Sequence, residues 1–185
     1  MNFWKKNDKK EIEKEKAKNN EKKKTKNNLL ILLIKIAVIL VLIFIIFFVI
    51  FGVHRMNGSS MSPYITDGNL LIYYRLDKDY VVGDVVLVKQ DNEYNIYRIS
   101  GTNGDMITIE EGTLLINGFR EEIQGFYDTE LSEGSSVTYP CILGEDEYFV
   151  TNDFRLDFND SRSFGKIEKK DIVGRVIGKL QIRGI

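Results

Sequence analysis

Histidine and cysteine are nearly missing from this chain: His54 and Cys141 are the single examples among 185 residues. With one of each, a Cys/His metal cluster, a disulfide framework and a papain-like Cys–His pair all lack parts. No metal and no cofactor is therefore expected. Cys141 reads as a small half-buried apolar side chain, and His54 as an interfacial side chain beside Arg55. Proline is almost as scarce, with only Pro63 and Pro140. Beyond residue 56 no helical period of useful length appears, apart from a turn around Lys166–Asp171, and no internal repeat is present.

The net charge of −1 hides a strong asymmetry. Residues 1–28 hold eleven Lys against five Asp or Glu, a charge of +6. Residues 56–185 hold thirteen Lys or Arg against twenty-two Asp or Glu, a charge of −9. That sign excludes a nucleic-acid binder built on the C-terminal part. Between them, residues 29–53 carry one charge, Lys35. As a helix this run would be ~37 Å long against a hydrocarbon core of ~30 Å, and Lys35 near one end can snorkel to head groups. The run is too long for a signal-peptide core, and GVHRMNG offers no small-x-small exit. We read it as a retained transmembrane anchor in the plasma membrane. The lysines before it place residues 1–28 in the cytoplasm, as a solvated tether drawn to anionic lipid rather than the mixed-charge helix its composition also allows, and residues 56–185 outside.

Outside the anchor, short β-rich runs alternate with Gly or Asx turns. Leu70–Tyr74, Tyr80–Val82, Val85–Lys89, Tyr94–Ser100, Met106–Ile109 and Thr113–Ile116 read as strands. So do Val137–Tyr139, Glu147–Val150 and Ile172–Ile182. This spacing predicts an antiparallel all-β domain.

A Ser-His-Asp triad is not available, because His54 precedes Ser60 by only six residues, too near to reach across a site. An activated serine then requires a lysine desolvated among apolar groups, whose neutral amine takes the hydroxyl proton. The segment Gly58-Ser59-Ser60-Met61-Ser62-Pro63 resembles the S-M-x-P box of type I signal peptidases, membrane-bound endopeptidases that remove signal peptides from exported proteins. Gly83-Asp84-Val85-Val86 is similar to the next strand box. Tyr97-Arg98-Ile99-Ser100-Gly101-Thr102-Asn103-Gly104-Asp105 is similar to K-R-V-x-G-x-P-G-D. Residues Asn152 to Gly165, with Asp160-Ser161-Arg162 within them, resemble G-D-N-R-x-x-S-x-D-S-R-x-x-G. The boxes thus fall at 58–63, 83–86, 97–105 and 152–165, with an inserted β-hairpin region over about 106–148.

The resemblance implies a barrel-like antiparallel catalytic fold behind one N-terminal transmembrane helix. It puts Ser60 at the nucleophile position. The Ser60 N–H, with a group at or near Gly58, would form the oxyanion site, where such donors are worth ~3–4 kcal/mol. Met61, with Pro63 at the same edge, would help dock that edge on the membrane surface and line the substrate cleft, and Asp160 and Arg162 would form a structural ion pair. Exported preproteins would bind extended, adding a strand. Two positions depart from the pattern. The general-base lysine is Tyr97, and the serine that orients its amine is Phe158; the pair reads as a cavity refilled by packed aromatics. A phenol titrates near 10, so Tyr97 is rarely a phenolate at neutral pH. Lys89 is a surrogate if the hairpin pairs residues summing to 184, which sets it opposite Asn95 on the face of Tyr97. Lys166, Lys169 and Lys170 read as surface charge. Two functions stay open: a signal peptidase using Ser60 with an unusual base, or a noncatalytic assembly factor for exported surface proteins such as pilins.

Overall fold

The computed structural model describes the backbone of residues 4–121, 127–132, 134, 135 and 137–181, with side chains from residue 24 onward except residue 25. The chain divides into two compact units, Met1–Phe48 and Val49–Ile185. The first is a helix: α1 runs Trp4–Ile50. Its N-terminal part is helical rather than the tether expected for residues 1–28. The run from 4 to 50 holds no Gly or Pro, and Lys, Glu, Leu and Ala are good helix formers. Within α1, Lys26–Ile50 is long and apolar enough to cross a membrane, with mean hydropathy 3.5. The helix stops at Ile50, so the last residues of the expected 29–53 anchor belong to a strand.

That strand is β1 (Phe51–Arg55). It is followed by β2 (Leu70–Tyr74), β3 (Val85–Gln90), β4 (Glu93–Gly101), β5 (Met106–Glu110) and β6 (Thr113–Ile116). Then come β7 (Phe119–Arg120), β8 (Cys141–Ile142), β9 (Glu147–Thr151), the short helix α2 (Ser161–Phe164), β10 (Ile167–Glu168) and β11 (Ile172–Leu180). A seven-stranded sheet has the order β1-β2-β11-β3-β4-β9-β10, so the last long strand inserts between the second and third. A four-stranded sheet, β7-β6-β5-β8, is built from the insertion, and every pairing in both sheets is antiparallel. Glu147 and Tyr148, expected within the insertion, lie in β9 of the larger sheet.

The larger sheet is covered on both faces. Val86 and Val88 join Tyr97, Ile99, Tyr148 and Ile172 on one side, while Leu87 and Ile96 join Met56, Met61, Leu71 and Tyr73 on the other. This explains why β3 reads as a continuous apolar run instead of alternating. Register shifts in β11 and β4 bend the sheet. Gly174 sits where a Cβ would meet the Tyr74 carbonyl oxygen at 2.4 Å, so only glycine lets β11 approach β2 there.

Two expected strands do not form. At Tyr80–Val82 the chain turns instead, since Val81 N–H donates to Asp84 Oδ2 and Asp84 N–H to the Val81 carbonyl. At Val137–Tyr139, the Val137 N–H is taken by Ser135 Oγ, a local bond that competes with a ladder. The turn after β3 is shorter than expected. Asp91 and Asn92 both have positive φ, 47° and 71°, forming a two-residue hairpin loop that Asx residues tolerate. The register therefore pairs residues summing to 183, with Lys89 opposite Tyr94 and Tyr97 opposite Val86.

Candidate functional site

Ser60 sits in a loop whose shape comes from local polar bonds and one apolar anchor. Met56 N–H donates to the Asn69 carbonyl and Gly68 N–H to the Met56 carbonyl, which closes the loop at its base. Met61 is 0% exposed within the cluster of Met56, Ile65, Leu71 and Leu87, so it pins the segment inward. This corrects its expected place at the membrane edge: an apolar side chain finds more burial in the core than at a rim. Pro63 is exposed, beside an exposed Tyr64. The Gly58 N–H donates to Asp67 Oδ1 at 2.9 Å, so that amide is committed within its own loop rather than offered as an oxyanion donor. The Ser60 carbonyl accepts from Phe154 N–H at 2.9 Å, which ties the serine loop to the segment after β9.

That segment is held by buried charge. Asp160 and Arg162 are both fully buried and paired at 2.9 Å. Asp160 also caps α2 through Arg162 N–H and accepts from Asn152 N–H. The remaining guanidinium donors reach the carbonyls of Arg155 at 2.8 Å and Asp157 at 2.7 Å. Buried ions are tolerated because their donors and acceptors are occupied. Two further pairs lay outside the sequence reading. Arg98 grips Asp153 bidentately at 2.7 and 2.6 Å and also donates to the Gly83 carbonyl. Arg155 meets Glu121 at 2.6 Å, and Glu121 accepts from Ser100 Oγ. Burial raises the Glu121 carboxyl above its ordinary value despite that arginine.

The two aromatic departures find different neighbours. Tyr97 is 2% exposed and its ring lies edge-on to Phe164 at 5.9 Å. Phe158 is half-buried with the Arg162 guanidinium 4.6 Å over its ring. Tyr97 thus packs into the β3–β4 core, and Phe158 turns to the ion pair. Burial pushes the Tyr97 phenol far above its usual value, and the carboxylates of Asp160, Asp157 and Glu93 add to this. A neutral phenol is a donor and a poor proton acceptor.

Lys89 does not share the face of Tyr97 that the expected register gave it. In the observed register it lies on the opposite face from Tyr97, and its ammonium sits 5.4 Å over the Tyr94 ring. The other five lysines of residues 56–181 are engaged elsewhere. Lys78 reaches the Ile172 carbonyl, Lys166 pairs with Glu147, and Lys169 with Asp146. Lys170 pairs with Glu168, and Lys179 donates to the Tyr64 carbonyl.

Around Ser60 three clefts share walls. One of about 210 Å³ is lined by Ser60, Asn57, Asn95, Tyr97, Asn152 and Asn159, among others. A second, of about 380 Å³, is lined by Ser60, His54, Met56 and Glu93 to Ile96. A third, of about 510 Å³, shares Asn95, Tyr97 and Asn159 and runs on to Lys89, Phe164 and Asp171. The first two meet at Asn57, Ser60 and Asn95, and the second lies between His54 of β1 and the first half of β4. Among the described residues, β1 pairs only with β2, and Glu93–Tyr97 only with β3, so both strands turn an unpaired edge to this region. His54, set aside as interfacial on sequence grounds, lines the groove and packs on Tyr94 with ring centroids 5.9 Å apart. Burial lowers its pKa, favouring the neutral imidazole. Sequence proximity to Ser60 concealed it; the reversal of chain direction after β1 brings it back. Among the described residues, no group of three His, Cys, Asp or Glu side chains is placed to hold a metal ion.

Comparison with known proteins adds the family. "Signal peptidase I" of Bacillus licheniformis is 30% identical over 138 residues, covering 68% of this chain and 74% of that one. "Signal peptidase I V" of Bacillus subtilis is 31% identical over 140 residues, covering 68% and 83%. "Inactive signal peptidase IA" of Staphylococcus aureus is 26% identical over 136 residues, covering 70% and 78%. The family model described as "Signal peptidase, peptidase S26" matches residues 27–180. With that match over most of its length, and relatives 30% and 31% identical, this chain belongs to the peptidase S26 signal peptidase family.

Proposed function

We propose that this protein is a membrane-anchored, preprotein-binding member of the family whose groove holds exported polypeptides without hydrolysing them. The Lys-rich end is cytoplasmic and the β domain extracytoplasmic, in keeping with the positive-inside rule. An exported chain, pilin-like surface proteins included, lies extended against the edges of β4 and β1, its main-chain groups completing their hydrogen bonds. Ser60 occupies the nucleophile position. Loss of its proton acceptor costs ~10²–10⁴-fold in rate.

One observation supports this reading: Tyr97, which the family resemblance sets at the base position, is buried with its phenol held neutral, and each lysine of residues 56–181 is engaged by another partner, Lys89 by the Tyr94 ring. The test is to incubate the full chain in lipid nanodiscs with a labelled preprotein peptide ending its signal in Ala-x-Ala. Binding is followed by anisotropy and cleavage by mass spectrometry, beside Ser60→Ala. Binding without cleavage by either form supports the proposal. Cleavage that Ser60→Ala abolishes overturns it and directs attention to His54, the imidazole of the same groove.

A further inference from the structure

The cleft of about 510 Å³ combines charge of mostly one sign with an unused hydroxyl. Glu93, Asn95 and Tyr97 alternate along β4, so all three face the same side of the sheet, and Asp91, Asp171 and Phe164 join them in lining the cleft. Asp91, Glu93 and Asp171 belong to none of the ion pairs among the described residues. Asp171 Oδ2 accepts from Glu168 N–H. Lys89 is the one cation among the described residues that line the cleft. Its ammonium rests over the Tyr94 ring, on the opposite face from Glu93 and Tyr97. The hydroxyl is a separate observation. Tyr97 is 2% exposed, and its Oη has no hydrogen-bond partner among the described residues. The unpaired hydroxyls of Tyr80 and Tyr139 are sealed in the interior, whereas that of Tyr97 is not, and Tyr97 lines both this cleft and the smaller one at Ser60. A buried hydroxyl that no protein group satisfies, at the wall of a cleft, is a place for a ligand's polar group.

From this we infer that the cleft is a subsite for a Lys or Arg side chain of the bound polypeptide. The inference rests on the peptide-binding reading above and adds the residue class that is recognised. A polypeptide laid along the unpaired edge of Glu93–Tyr97 sends every second side chain toward the face that holds Glu93 and Tyr97. There a cationic head meets the carboxylates of Asp91, Glu93 and Asp171 and donates to Tyr97 Oη, whose lone pairs are free. Its methylenes lie against the Tyr97 and Phe164 rings, which also attract a cation. A carboxylate in the same place would meet three like charges. The field at the Tyr97 end has the same sign. Burial is the larger cause of the raised Tyr97 pKa, but Asp160, Asp157 and Glu93 all oppose ionisation of the phenol as well. Asp157, itself in no ion pair among the described residues, lines the adjoining cleft and adds to the attraction for a cation.

The experiment uses the full chain in nanodiscs of zwitterionic lipid, so that the bilayer does not itself attract charged peptides. The labelled Ala-x-Ala peptide carries Ala, Gln, Glu, Lys or Arg at each position in turn. At one position Lys and Arg should bind about tenfold tighter than Gln, the scale of one charge-assisted hydrogen bond, and Glu should bind most weakly. Added salt should shrink that difference. Asp91→Asn together with Glu93→Gln, both exposed in the fold, should erase most of it. Tyr97→Phe, which keeps the ring, should reduce it at the same position. Equal binding of the Lys and Gln peptides at every position overturns the subsite while leaving peptide binding intact. So does a Lys preference of the same size at all positions, which is attraction to the net charge of the β domain alone. A preference that either variant leaves unchanged also overturns it. If no peptide in the series binds, the function proposed above fails and the subsite with it.

Discussion

Placing an amine at position 97 is the sharpest perturbation of this site. Tyr97 is 2% exposed, and its ring contacts Phe164. Truncating a buried aromatic to Ala costs ~3–5 kcal/mol, and the methylene stem of a lysine recovers part of this. Tyr97→Lys should therefore destabilise by about 2 kcal/mol. Phe158→Ser removes the ring under Arg162, worth about 1 kcal/mol, and supplies a hydroxyl at the family's lysine-orienting position. Against that loss, a positioned base should raise Ser60-dependent cleavage by ~10²–10⁴-fold, or about 3–5 kcal/mol of barrier. The single Tyr97→Lys should gain less, because its amine lacks that hydroxyl. The assay is release of the mature peptide by the full chain in nanodiscs, with Ser60→Ala in the same background as control. Burial favours the neutral amine, while Asp160, Asp157 and Glu93 favour the ammonium, as they already oppose ionisation of Tyr97. Since only the neutral form accepts a proton, cleavage by the double variant should rise with pH. A double variant that melts as a folded protein yet cleaves no faster than wild type would refute the placement of residue 97 beside the serine.

Asp153→Ala leaves the Arg98 guanidinium, with only 13% of its side chain exposed, without its bidentate partner; a loss of ~3–5 kcal/mol should appear in denaturant titration. Gly174→Ala drives a Cβ against the Tyr74 backbone, so β11 must shift, and a loss of ~1–3 kcal/mol is expected by the same measurement. His54 is the chain's one imidazole, so its proton NMR titration is unambiguous; it should fall below 6.5 because of burial. A histidine depressed in the fold contributes stability that is present above the unfolded value and lost as pH falls through the folded one, so His54→Gln should flatten that acid slope. Glu121 runs the other way. Its raised folded pKa gives stability that is full below the unfolded value and lost as pH rises through the folded one, and Glu121→Gln should remove that alkaline-going loss from thermal melts.

The amino-acid sequence by itself was enough for the apolar helix, the antiparallel all-β class of the domain after it and the Asp160–Arg162 ion pair. Each is a local signal: an unbroken apolar run, short β-branched stretches between Gly or Asx turns, and residue types at fixed spacing. Other features needed the tertiary structure. Whether Lys89 faces Tyr97 turned on one residue of loop length at Asp91-Asn92, and a one-residue slip moves every side chain to the opposite face. Met61 read as a rim residue until the core beneath it was known, because burial depends on which elements pack overhead. His54 and the four asparagines are scattered from 54 to 159 and share one groove only once β1, β4 and the segment after β9 are assembled. Sequence records the chemistry a residue carries. Which residues meet is settled by long-range pairing and packing, and that sum over the whole chain cannot be read from any one segment.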